Sequence, residues 1–133
     1  MDDAYRDAMR EHIAQLAEDL AEIKTLLDQH GHLSPIAYRA AERNLQLLIE
    51  ACIGIAKQTL KAKGVHVPAD ARQVFAKLQA LGLAAASTDW NKVVGMRNAL
   101  VHDYLNLDPR RITEVIATNK YANLLQFANT LLG

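Results

Sequence analysis

Residues 44–57 read NLQLLIEACIGIAK, and this stretch decides the fold. A helix built from it is apolar almost all round, so it is buried on more than one side, either inside a bundle or against another chain. The second possibility is a first indication of a homodimer. Extended backwards, the helix begins at Ser34-Pro35, where a hydroxyl can cap a free N–H and proline fills the first turn without losing a needed donor. Extended forwards, it runs to about Lys63 and Gly64.

The flanking sequence is helical on both sides. Upstream, Met9, Ile13, Leu16, Leu20, Ile23 and Leu27 alternate steps of four and three, which aligns them on one stripe of a long helix ending at Gly31. Downstream, Asp70 can cap a third helix whose Val74, Phe75, Leu78 and Leu81 form a narrow stripe ending at Gly82. Ser87, Thr88 and Asp89 offer a cap for a fourth, with Trp90, Val93, Val94, Leu100 and Val101 on one face. Asp108-Pro109 repeats the cap-plus-proline device and opens a fifth, carrying Ile112, Val115, Ile116, Tyr121, Leu124, Leu125, Ala128 and Leu131. No stretch alternates with period two, and no repeat or low-complexity segment interrupts the pattern. The expectation is an all-α, four-to-five-helix bundle.

Composition agrees and narrows the function classes. The 133 residues, 50% hydrophobic and 5% aromatic, fit one helical domain spanning residues 1–133. Six Gly and three Pro are too few for a loop-rich sandwich. Fifteen Lys plus Arg cancel fifteen Asp plus Glu, which argues against a protein that coats long nucleic acid through net charge and leaves room only for a local basic cleft. The single cysteine, Cys52, excludes an intrachain disulfide and a cysteine-based zinc site, and its apolar surroundings mark it as core rather than nucleophile. The opening MDDAYRDAMREH lacks a signal peptide's basic start and apolar run, and no 18-residue apolar stretch follows. The expected address is the cytoplasm, with no membrane partner.

Chemistry concentrates on the fourth helix, at Met96-Arg97-Asn98-Ala99-Leu100-Val101-His102-Asp103-Tyr104. At about 100° per residue, Arg97 falls in the middle of the apolar stripe, Tyr104 returns to within roughly 20° of it, and Asn98 and His102 share a neighbouring stripe. A charge sits where a core residue belongs. The plain account pairs Arg97 with an acidic side chain, makes His102 a satisfied histidine near a helix end and Tyr104 an amphipathic anchor. The other account gives the strip a polar cleft or interface that supplies an anion.

This Arg-x4-His-x-Tyr pattern, late in a small all-α chain, resembles the HEPN superfamily and most closely its HepT-like toxin branch. The resemblance covers nearly the whole chain in helix order, including Phe75–Gly82 and the Asp-Pro start of the last helix. It implies a metal-independent endoribonuclease with Arg97 and His102 as catalytic residues, working as a homodimer whose two motifs face one another across a cleft. It further implies the toxin of a type VII-like toxin–antitoxin pair. The antitoxin partner would be an MNT-type nucleotidyltransferase that silences the toxin by AMPylation of Tyr104, with ATP as the AMP donor.

The residues suit that chemistry on their own terms. Metal-free RNA cleavage needs a base for the 2′-hydroxyl, an acid for the leaving 5′-oxygen and a cation for the phosphorane, and no cofactor. His102 can act as base or acid, and Arg97 can grip phosphate with two N–H groups. On a regular helix the two side chains point about 140° apart, so either the helix loosens after Val101 or a second subunit completes the site. Asn98 can orient the imidazole, contact phosphate, or simply hydrogen-bond at an interface. Arg110 and Arg111 are candidate phosphate contacts, whereas Lys57 and Lys61 read as solvated and His12 and His66 as surface residues. His30-Gly31-His32 has a chelating spacing but no further ligand pattern, and reads as a solvated turn. The competing function class is a non-catalytic helical interaction or nucleotide-binding module.

Overall fold

In the computed structural model, which describes residues 1–133, each helix starts and stops on local chemistry. The order is α1 (Asp3–His30), α2 (Pro35–Ala62), α3 (Ala71–Ala80), α4 (Trp90–His102), a single 3-10 turn (Tyr104–Asn106), α5 (Pro109–Ala117) and α6 (Ala122–Leu132), with no strand. Ser34 caps α2 by accepting from the Ala37 N–H at 3.1 Å, and Asp70 caps α3 by accepting from Arg72 at 2.8 Å. Asp89 caps α4 through the Lys92 N–H and Asp108 caps α5 through the Arg110 N–H. The all-α bundle is therefore built on the cap positions legible in the sequence.

The last helix differs from the sequence reading: it is two helices. Asn119 sits in the left-handed region at φ 58°. The Lys120 N–H reaches back to Val115 O and the Asn119 N–H to Ile116 O, which closes α5 with the paired reverse bonds of a Schellman cap. Asn is the residue besides glycine that tolerates this conformation, so a helix stop is encoded here without a glycine or proline to announce it.

α2 is the central element. It packs against α1, α5 and α6 and also against α3 and α4. Leu45, Leu48, Ile49, Ala51, Cys52, Ile53, Ile55 and Ala56 are all buried there, in a cluster of 30 residues to which all six helices contribute. The apolar girth of residues 44–57 is thus met by the chain's own helices and gives no indication of a dimer. On α1 the buried residues are Ile13, Leu16, Leu20, Ile23 and Leu27, the predicted stripe without its first member, Met9, which is only half-buried against the core. Two stripe members are misplaced by the sequence reading: Leu81 follows the last residue of α3 and Val101 lies on α4's outer side, and both are exposed.

Beside α2, Phe75 of α3 stacks on Trp90 of α4, with ring centroids 4.0 Å apart and planes 4° from parallel. Phe127 of α6 meets both rings edge-on. At the other side of the bundle, Arg10 of α1 donates to the carbonyls of Leu132 and Gly133, tying the end of α6 to α1. No helix is long and apolar enough to cross a membrane.

Candidate functional site

The motif helix α4 is anchored at its start and released at its end. Trp90, Val94 and Leu100 are buried and hold it on the bundle. Helical bonding persists to the Asp103 N–H, which donates to Ala99 O at 2.9 Å, and then Asp103 swings to φ −146° and leaves the helix. The Asp103 carboxylate accepts from the Asn106 side chain at 2.7 Å, folding the chain into the 3-10 turn that begins at Tyr104. Leu107 is buried behind the turn and Leu105 is exposed in front of it.

This ending settles one geometric question and corrects another. The helix does not loosen after Val101; it is regular through His102, so the roughly 140° between Arg97 and His102 stands within one chain. Tyr104, by contrast, is not carried by the helix. Its placement in line with Arg97 assumed about two turns of unbroken helix between them, whereas the Asp103 swing puts the phenol on the turn, 56% exposed.

Arg97 is half-buried on α4, and no carboxylate lies within ion-pair distance of it. Its Nε donates instead to Asn98 Oδ1 at 2.9 Å, which fixes the guanidinium's inner edge and leaves its outer N–H groups free. The plain reading of Arg97 as one half of a structural ion pair therefore finds no partner. Asn98 bonds to Arg97 rather than to His102, and His102 is exposed as the last residue of α4.

Tyr104 opens onto a groove of about 310 Å³ lined by Arg39, Glu42, Arg43, Gln46, Leu100, Val101 and Tyr104. Four of these come from α2, where steps of three and four place them on one face. Arg39 and Arg43 are exposed and make no ion pair within 4 Å. Burial pushes the Glu42 carboxyl up while the Arg39 guanidinium pulls it down, burial prevailing. Burial likewise raises the neighbouring Tyr38 phenol, assisted by the charges of Glu42 and Asp108. Sequence reasoning missed this α2 contribution, although a polar stripe on an otherwise apolar helix was the signal that carried it.

The remaining candidates scatter. Arg110 is engaged by Asp108 through three side-chain hydrogen bonds, the shortest 2.9 Å, and does not line the Tyr104 groove. Arg111 lines a second groove of about 440 Å³, where Leu45, Ile49, Val93 and Met96 are bordered by Lys92, Arg111 and Lys120. Lys57 and Lys61 line neither groove. His32 Nδ1 lies 3.0 Å from His30 O in an exposed turn, and no three His, Cys, Asp or Glu side chains converge at metal-binding spacing. Cys52 is fully buried, its thiol pushed far above the ordinary range by that burial, and it contacts Leu124 O at 3.5 Å as a core side chain.

Against known proteins, residues 9–131 match the family described as HepT-like, Ribonuclease HepT-like. The chain is similar to the mRNA nuclease HepT of Shewanella oneidensis, with 41% identity over 69 residues. That match covers 49% of this chain and 52% of the relative, about half the length of each. In three dimensions the chain is similar to a subunit of a solved toxin–antitoxin crystal structure with AMP-PNP. There the TM-score is 0.75 at 23% identity, covering 98% of this chain and 99% of that one, a likeness of fold.

Proposed function

Because this chain belongs to the HepT-like ribonuclease family, we propose that it is the toxin member of a toxin–antitoxin pair, a metal-independent endoribonuclease that acts as a homodimer. The observation that carries the reading is a half-buried Arg97 with no carboxylate partner, about one and a half turns before an exposed His102 on a regular helix. A cation without an anion awaits one from outside the chain, and phosphate is the anion a guanidinium fork fits best. The similarity to a named mRNA nuclease makes RNA the substrate of choice.

In this mechanism a histidine takes the 2′-hydroxyl proton, the 2′-oxygen attacks phosphorus, and the 5′-oxygen leaves with a proton supplied by an acid. A 2′,3′-cyclic phosphate and a 5′-hydroxyl result. Arg97 stabilises the extra charge on the phosphorane, and Asn98 holds Arg97 by its Nε. The angle between Arg97 and His102 prevents one protomer from aiming both at one phosphate, so His102 of one copy works with Arg97 of another. Arg110 and Arg111 are outer contacts for the RNA strand, Arg111 the freer of the two. Silencing comes from an MNT-type nucleotidyltransferase antitoxin that uses ATP to attach AMP to Tyr104, whose exposed phenol is accessible to such an enzyme.

The test is cleavage of total RNA by the purified chain beside Arg97→Ala and His102→Ala, with and without chelator. The reading requires both variants to be folded and inactive and the parent to be indifferent to chelation. Cleavage retained by either variant overturns the catalytic assignment, and loss of activity on chelation overturns the metal-free mechanism.

A further inference from the structure

The cations placed to receive a group on Tyr104 are neither the motif arginine nor the pair that follows it. Arg97 is held by Asn98 and is absent from the Tyr104 groove, Arg110 is occupied by Asp108, and Arg111 faces the second groove. The arginines that share the groove with the phenol are Arg39 and Arg43, one helical turn apart on α2 and free of ion pairs. We propose that Arg39 and Arg43 form a phosphate seat for an adenylate carried by Tyr104, so that the modified tyrosine is locked into the groove rather than left loose in solvent. This rests on the reading that Tyr104 is the AMPylated residue.

The chemistry is balanced with ATP as donor. The Tyr104 oxygen attacks the α-phosphorus, the new O–P bond replaces the bond to the β-phosphate, pyrophosphate departs with that electron pair, and the phenolic proton passes to the transferase's base. The product is a phosphodiester with one negative charge. The groove presents two guanidiniums and the single carboxylate of Glu42, a formal excess of one positive charge, which matches a diester and falls short of a phosphate monoester carrying nearly two. Leu100 and Val101 give the same groove an apolar wall for the nucleoside. Its volume of about 310 Å³ stands at the lower end of small-ligand clefts.

The experiment adenylylates the full chain and the Arg39→Gln/Arg43→Gln variant with the cognate transferase and ATP. Mass spectrometry confirms AMP on the Tyr104 peptide, and both adducts are then exposed to a phosphodiesterase. The wild-type adduct should release AMP about tenfold more slowly than the double variant, as expected for the loss of charge-assisted hydrogen bonds at an open site. Each single substitution should show about a threefold effect and serves if the double variant is poorly modified. Removing the opposing carboxylate with Glu42→Gln should slow release further. Equal release from wild type and the arginine variants overturns this inference while leaving Tyr104 as the modified residue. Faster release from Arg110→Gln/Arg111→Gln puts the seat there and overturns it too. No AMP on the wild-type Tyr104 peptide overturns both the inference and the reading beneath it.

Discussion

Arg97 illustrates a residue whose function and stability oppose each other. A half-buried guanidinium without a carboxylate loses hydration and recovers only the bond to Asn98. Replacing it by an apolar side chain of similar length should therefore stabilise the fold while removing the proposed phosphate ligand. Arg97→Met is expected to raise unfolding free energy by about 0.5–1 kcal/mol and to eliminate RNA cleavage; denaturant titration beside a cleavage assay checks both. A lower stability would mean that the guanidinium has a structural partner. Its anomaly was legible in the sequence because a charge in an apolar stripe needs only helical periodicity to be noticed. Arg39 and Arg43 were not legible as neighbours of Tyr104, since their meeting depends on how α2 crosses the end of α4, a tertiary fact. Tyr104 itself was misread because one backbone rotation at Asp103 redirects everything after it, and no apolar pattern records that rotation.

Among the elements, α5 is the most exposed to solution conditions. Its cap, Asp108, is held below the ordinary aspartate value of 3.8 by the side-chain hydrogen bond from Arg110, then by the Arg110 backbone N–H. A carboxyl lowered on folding contributes stability that is present above its ordinary value and lost as pH falls through the lowered one. Acid below about pH 3.8 should loosen the start of α5, and Asp108→Asn should flatten that acid dependence; amide exchange of the α5 N–H groups across the transition would show it. At the other end of α5, Asn119→Ala should cost about 1 kcal/mol, whereas Asn119→Gly should keep the stop intact. Equal effects of the two substitutions in urea unfolding would remove the left-handed conformation from the explanation. Starts such as Ser34-Pro35 and Asp108-Pro109 could be read directly because a cap is a contact between near neighbours. The Asn119 stop could not, since asparagine occupies right-handed helix as well and its choice here follows from the need of α6 to turn back along α1 and α2.

For the whole molecule, the angle between Arg97 and His102 makes an assembly prediction that the apolar girth of α2 no longer supports. A site composed across two copies should be rescued by mixing: Arg97→Ala and His102→Ala protomers, unfolded and refolded together, should recover about a quarter of wild-type cleavage, since half the dimers are mixed and each holds one intact pair. No recovery would place Arg97 and His102 of the same protomer at one phosphate. The interface should exceed about 1,000 Å² and survive sedimentation at micromolar concentration. The Phe75–Trp90 stack has a consequence of another kind. Trp90 is the single tryptophan of the chain, 4% exposed, with its indole N–H buried and unbonded. It lies at the opposite end of α4 from His102, roughly 18 Å away at 1.5 Å per residue. Its fluorescence should be blue-shifted and should report the aromatic interior alone. Emission that reddens on heating will register unfolding, while emission that stays fixed as RNA or AMP is added will certify that those ligands act far from the core; the protein is thus supplied with an optical indicator that separates loss of structure from loss of activity.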